Sequence, residues 1–144
     1  MLASVVVAAY KHEAYIEECL ETVYRQTFPD VELIVVDDHS PDRSFEIAQR
    51  IVKKKSFAKR FVSCSLLRNP LNLGAHYTWN RALSLAKGDM LFFLNSDDVF
   101  SKDRIRIFSS QYDNEKLFFG FSAVEPIDER GKRITTHQFP TSLR

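Results

Sequence analysis

The stretch Met90 to Phe100, MLFFLNSDDVF, decides how the chain is read. Five apolar residues, Met90 to Leu94, run directly into Asn95-Ser96-Asp97-Asp98, and the turn-forming Lys87-Gly88-Asp89 precedes them. An apolar run of this length between polar boundaries predicts a strand buried on both faces of a parallel sheet. Such a strand delivers the polar cluster behind it to the carboxyl edge, where open α/β sheets hold their ligands. Two adjacent carboxylates raise one another's pKa unless a cation or water separates them. The expectation is a hard divalent cation on oxygen ligands, carrying a phosphate-bearing substrate. The plainer alternative is that Asp97 and Asp98 only open the next helix, where the helix dipole favours acids.

The same grammar repeats outward from this stretch. Ser4 to Ala9 (SVVVAA), Val31 to Val36 (VELIVV) and Phe61 to Leu67 (FVSCSLL) predict three further strands, and Leu117 to Ala123 (LFFGFSA) a fifth. Helical spacing links Ile16, Cys19, Leu20, Val23 and Tyr24; then Phe45, Ala48, Ile51 and Val52; then Ala75, Trp79, Ala82, Leu83 and Ala86. Pro41 and Asp42 open the second of these helices, and Gly88 is expected in a left-handed position closing the third. A further helix spans about Lys102 to Tyr112, and Asp128 to Gly131 reads as a turn into a short strand, Lys132 to Thr136. Alternating strands and helices predict an α/β fold: a doubly wound, mostly parallel sheet with right-handed crossovers, one domain over residues 1–144.

Composition narrows the function. With 144 residues, 44% hydrophobic and 27% charged, the chain is an ordinary globular domain, and a net charge of +1 gives no pull toward nucleic acid or membrane. Lys53-Lys54-Lys55, with Lys59 and Arg60, reads as a solvated helix end. Nothing reaches the length of a transmembrane segment, no basic region precedes the first apolar run, and Cys19 and Cys64 suit a reducing compartment; a cytoplasmic protein is expected. Only four glycines occur, which rules against a glycine-rich phosphate loop. Neither G-x-G-x-x-G nor a P-loop is present, and the first strand runs into Ala8-Ala9-Tyr10-Lys11-His12. A receiver domain would carry acids where Tyr10 stands, and no G-x-S-x-G marks a hydrolase.

Three polar clusters follow strands: Tyr10-Lys11-His12-Glu13, Asp37-Asp38-His39-Ser40 and Asn95-Ser96-Asp97-Asp98. Each alone is ordinary turn chemistry. In a parallel sheet all three emerge at one edge and converge. Their company includes QTFPDVELIVVDDHSPDRS from Gln26 to Ser44, Asn72-Leu73-Gly74, Asn80, and Ala86-Lys87-Gly88-Asp89. With these blocks in this order, from about Ser4 to Arg133, the chain resembles the nucleotide-binding half of an inverting family 2 glycosyltransferase of the GT-A fold.

The resemblance implies a nucleotide-sugar donor, and roles for particular residues. Ala9 and Tyr10 would wall the nucleobase pocket, with Glu13 near its floor and Gly74 on a neighbouring loop. Asp38 would accept from a base N–H, which favours uracil and hence a UDP-sugar. Asn95 would hold the ribose, and Asp97, with Asp98 adjacent, would bind Mn2+ or Mg2+. The chain departs from the pattern at Ala9, where proline is common, and at Lys11, where asparagine is. Trp79 stands in place of an arginine, and Asn95 in place of the first aspartate of the D-x-D motif. The family's general base and acceptor site lie in a second half that follows these blocks; Glu125, Asp128 and Glu129, the acids after the fifth strand, read as hairpin residues. The acceptor (glycan, lipid or protein) and the catalytic base are left open, and apolar surface bared by a missing half would favour a homo-oligomer. Two further readings stand beside this one: a non-catalytic donor-binding or assembly module, or a fragment of a longer enzyme; and an unrelated doubly wound fold such as a nucleotide phosphatase.

Overall fold

β-branched residues dominate the centre of the sheet, and the strands they form carry everything else. The structure, a computed structural model, describes residues 1–112, 120, 124–128 and 130–134. The chain divides into two units, 1–112 and 113–144. In the first, the order is β1 (Ala3–Ala9), α1 (Ile16–Tyr24), β2 (Val31–Asp37), α2 (Ser44–Val52), α3 (Lys55–Ala58), β3 (Ser63–Arg68), α4 (Ala75–Leu83), β4 (Met90–Asn95) and α5 (Arg104–Ser109). The four strands form one all-parallel sheet in the order β3-β2-β1-β4. The chain winds outward from β1 through β2 to β3, then returns to place β4 on the other side of β1. That reversal puts the switch point between β1 and β4, where a crevice opens at the carboxyl ends.

β1 and β2 are central, and their Val and Leu side chains are buried on both faces. On one face Val6, Ile34 and Val36 pack with Ala82 of α4, flanked by Leu67, Trp79 and Ala86. On the other, Phe92 meets Phe100 and Phe108 edge-on at 6.5 and 6.2 Å between centroids. β4 corrects the expectation of a strand buried on both faces. Met90, Phe92 and Leu94 are buried, while Leu91 and Phe93 are 47% and 52% exposed. Register explains this: Phe93 lies beside Val6 and Leu91 beside Ser4, on the α4 face, but α4 lies over β1 and β2. Trp79 leans on that side of β4, its ring tilted 59° to Phe93 at 5.4 Å. The expected fifth strand, 117–123, lies outside the described residues except Gly120.

Gly88 also corrects the sequence reading. It does not take a left-handed conformation; it is needed because a Cβ there would sit 2.5 Å from Ser4 Oγ and 2.7 Å from Leu2 O and Ser4 N. Beside it, Glu32 is 2% exposed and accepts from Ser4 Oγ, Ser63 Oγ (3.1 Å), Lys87 N (2.5 Å) and Gly88 N (3.1 Å). One carboxylate thus joins β1, β2, β3 and the turn into β4 at the amino edge. Burial pushes its pKa up, but the donors from Ser4, Lys87, Ser63 and Gly88 outweigh this and hold it below the ordinary value.

The remaining helices behave as their composition suggests. Lys53, Lys54, Lys55 and Lys59 are exposed, as expected of a solvated helix end, but Arg60 departs from that expectation: it is half-buried and its guanidinium donates to the carbonyls of Tyr24, Gln26, Phe28 and Pro29. No described helix is long and apolar enough to cross a membrane. In the second unit Ile127 and Arg133 form one antiparallel bridge around a turn in which Asp128 Oδ1 accepts from Arg130 N and Lys132 N, both at 2.9 Å. Glu125 pairs with Arg133 at 2.9 Å. Glu129 and the end of the expected strand, 135–136, lie outside the described residues.

Candidate functional site

The ends of β1, β2 and β4 are laced together by backbone bonds: Asp38 N to Ala9 O at 2.8 Å and Ser96 N to Ala8 O at 3.3 Å. Above them, between these ends and the start of α4, lies a cleft of about 540 Å³. Its floor is Ala8, which stands in register between Val36 and Asn95. A small residue after three valines leaves the space that a larger side chain would fill.

Of the expected residues, the cleft brings together Ala9, Tyr10, Asp38, Gly74, Asn95 and Asp97. Asp38 is 4% exposed, and its carboxylate holds the loop before α4. Oδ1 accepts from Leu73 N (2.8 Å) and Asn69 Nδ2 (2.7 Å), and Oδ2 from Gly74 N (2.8 Å). Burial pushes this carboxyl up; the donors from Leu73, Asn69, Gly74 and Thr78 prevail and hold it below its ordinary value. It therefore stays ionised and, with a single backbone donor on Oδ2, keeps room to accept from a ligand. Gly74 has φ +85° with open space around it, so glycine serves the backbone angle there and turns its N–H to Asp38. Asn69 passes the order on, bonding Thr78 Oγ1 at 3.0 Å and accepting from Arg81 at 2.7 Å. Asp37, the other member of the pair, faces away and ion-pairs with Arg68 at 3.2 Å.

At the far end, Asn95 and Asp97 line the cleft and Asp98 does not. Asn95 donates its amide to Asp98 Oδ2 at 3.0 Å, so the two carboxylates turn apart, each to its own neighbour. Asp97 is 46% exposed, with His12 Nε2 at 3.6 Å from its Oδ2. Behind them Cys19, whose thiol pKa is pushed strongly up by burial and then by the charges of Asp98 and Asp97, lies 3.5 Å from Asn95 O; it is a buried, inert thiol. Glu13 is also outside the cleft lining: its carboxylate accepts from Arg43 N at 3.0 Å, satisfying the start of α2.

Among the described residues no three His, Cys, Asp or Glu side chains converge to enclose an ion. An exposed carboxylate facing a cleft is still the donor that a hard cation uses when substrate phosphates complete its shell. Asp97 fits that role.

His12, Asn72, Ala75, Thr78 and Trp79 also line the cleft; the sequence places His12 and Asn72 in the polar blocks without a role of their own, and gives Ala75 and Thr78 none at the site. The sequence reads Trp79 as part of its helix's apolar face and as standing in place of an arginine; it does touch the core, and it also borders the cleft. The available signal was the Gly74, Ala75, Thr78, Trp79 spacing, which repeats once per helical turn from the helix start.

Known proteins resemble this chain in sequence and fold. A family profile described as glycosyl transferase family 2 matches residues 4–143. The UDP-Glc:alpha-D-GlcNAc-diphosphoundecaprenol beta-1,3-glucosyltransferase WfaP of Escherichia coli is 31% identical over 121 residues, 84% of this chain and 45% of that protein. The crystal structure of S. aureus TarS 1-349 in complex with UDP has a TM-score of 0.67 and 29% identity, covering 76% of this chain and 31% of that one. The mannosyltransferase PcManGT from Pyrobaculum calidifontis, in complex with GDP-Man and Mn2+, has a TM-score of 0.61 and 25% identity, covering 68% and 28%. The chain spans between 32% and 45% of the length of the four leading curated relatives.

Proposed function

The chain belongs to glycosyl transferase family 2, and from that premise we propose that it is the donor-binding part of an inverting glycosyltransferase that uses a UDP-sugar. The observation that carries this is the convergence of Tyr10, Asp38, Asn95 and Asp97 on one cleft at the switch point of the sheet. A UDP donor is supported by the name of the E. coli relative and by the UDP complex of the structural neighbour.

Each residue then has a task. Asp38, ionised and rigid, accepts the imide N–H of uracil, while the Tyr10 ring bounds the base. Asn95 hydrogen-bonds a ribose hydroxyl as a neutral amide. Asp97 holds Mn2+ or Mg2+ together with the diphosphate oxygens, with Asp98 adjacent; Mn2+ in the mannosyltransferase complex supports this choice. A bound divalent ion supplies positive charge to the diphosphate leaving group. The protein's own part is to orient the donor and keep the diphosphate at the Asp97 end. The free thiols of Cys19 and Cys64 support a cytoplasmic location.

Calorimetric titration of UDP with Mn2+ tests the reading. Binding below millimolar concentration, weakened in Asp97→Ala, supports it; no heat at millimolar UDP refutes it. A second reading, donor binding without turnover, is favoured by two departures from the family pattern at the site, Trp79 in place of an arginine and Asn95 in place of an aspartate. Turnover of a UDP-hexose by this chain, with release of UDP, would exclude it.

A further inference from the structure

We propose that His12 is a positioning residue of the donor site: its ring ties the loop after β1 to the end of β4 and fixes how the Asp97 carboxylate faces the cleft. This rests on the donor-binding reading and deepens it.

The loop is built to aim this side chain. Lys11, immediately before it, has φ +58°, a left-handed conformation that strains a non-glycine residue and persists only where surroundings impose it. They do so here through two fully buried serines, Ser40 in the β2–α2 loop and Ser44 at the start of α2. Lys11 N donates to Ser40 Oγ at 3.2 Å, and His12 N to Ser44 Oγ at 2.9 Å. The backbone is thus pinned on the β2 side while the imidazole reaches across β1 to the end of β4. Tyr15 meets the ring edge-on at 6.2 Å between centroids.

Both ring nitrogens face the Ser96-Asp97 segment. Nδ1 is 2.8 Å from Ser96 Oγ, and Nε2 is 3.6 Å from Asp97 Oδ2. When the serine hydroxyl donates to Nδ1, the ring proton resides on Nε2 and points at the aspartate. The serine has no nucleophilic role, because it is 0% exposed. At 3.6 Å the aspartate contact is longer than a hydrogen bond. In sites without ligand such contacts are often long and shorten on binding. A side chain that orients a carboxylate toward a cation acts as outer-shell partners do, selecting one rotamer of the ligating group before the ion arrives.

UDP is titrated calorimetrically into the chain in Mn2+ and again in EDTA. His12→Ala is expected to lower the Mn2+-supported affinity about tenfold and to leave the metal-free affinity within about twofold. His12→Gln, whose amide reaches toward Asp97, restores most of the loss; His12→Asn, which keeps only the Ser96 contact, does not. Melting curves accompany each variant, and if the alanine chain fails to fold, the contrast between Gln and Asn carries the test. Unchanged Mn2+-supported affinity in His12→Ala, equal loss with and without metal, or full rescue by Asn overturns the inference and leaves the donor-site reading standing. A parent chain that binds no UDP under either condition removes both.

Discussion

Two buried carboxylates, Glu32 and Asp38, bracket β2, and they are put to different use. Glu32, near the start of β2, and Asp38, just past its end, are both nearly inaccessible and both held below their ordinary pKa by donors that outweigh burial. At the amino edge Glu32 is enclosed by Ser4, Ser63, Lys87 and Gly88, and Gly88 packs so closely that no Cβ fits. At the carboxyl edge Asp38 organises a loop and still opens onto a cleft. Strain follows the same division. The two described non-glycine residues with left-handed backbone, Lys11 and His39, each fall just past a strand end on the cleft side. One edge is closed for rigidity, and the other spends that rigidity on holding polar groups apart around a space.

This contrast has measurable consequences. Glu32→Ala strands several buried donors at once and is expected to destabilise the chain by about 4 kcal/mol in denaturant melts. Folded Glu32→Ala at low temperature should still bind UDP as the parent does, since the cleft is at the opposite edge. Gly88→Ala drives a methyl into Ser4 and the Leu2 carbonyl, and should cost about 2 kcal/mol with equally little effect on binding. Asp38→Asn reverses the pattern. One oxygen becomes a donor facing backbone N–H groups, costing about 1.5 kcal/mol of stability, while UDP affinity falls about tenfold.

Acid sharpens the comparison further. Both carboxyls are held below their ordinary values, so the unfolded chain takes up protons first as pH falls. Their stabilisation is complete above about pH 5 and drains away as pH drops through about 4 toward the folded values. Glu32→Gln should flatten that part of the stability–pH curve, as read from urea midpoints at successive pH values.

Much of this plan was legible in the chain. Runs such as Val5-Val6-Val7 and Leu33 to Val36 announce central strands, and polar clusters behind them announce the edge where they converge. What escaped depends on pairings across the sequence. Met90 to Leu94 reads as buried throughout, and only the β1–β4 register with the placement of α4 shows why Leu91 and Phe93 are not covered by it. Gly88 looks like a helix terminator because its neighbour at Ser4 is 84 residues away. Glu32 sits in an apolar run without any local sign of the four donors that satisfy it. His12 reads as one polar loop residue among several until the Lys11 backbone angle and the end of β4 are known.

The most direct test is an amide correlation spectrum of the labelled chain titrated with UDP and Mg2+, a diamagnetic ion. The account expects shifts concentrated at Tyr10, Leu73, Gly74, Ala75, Asn95 and Asp97, with Lys87 and Gly88 unmoved. Shifts centred on Lys87 and Gly88, or none anywhere at millimolar UDP, would contradict it.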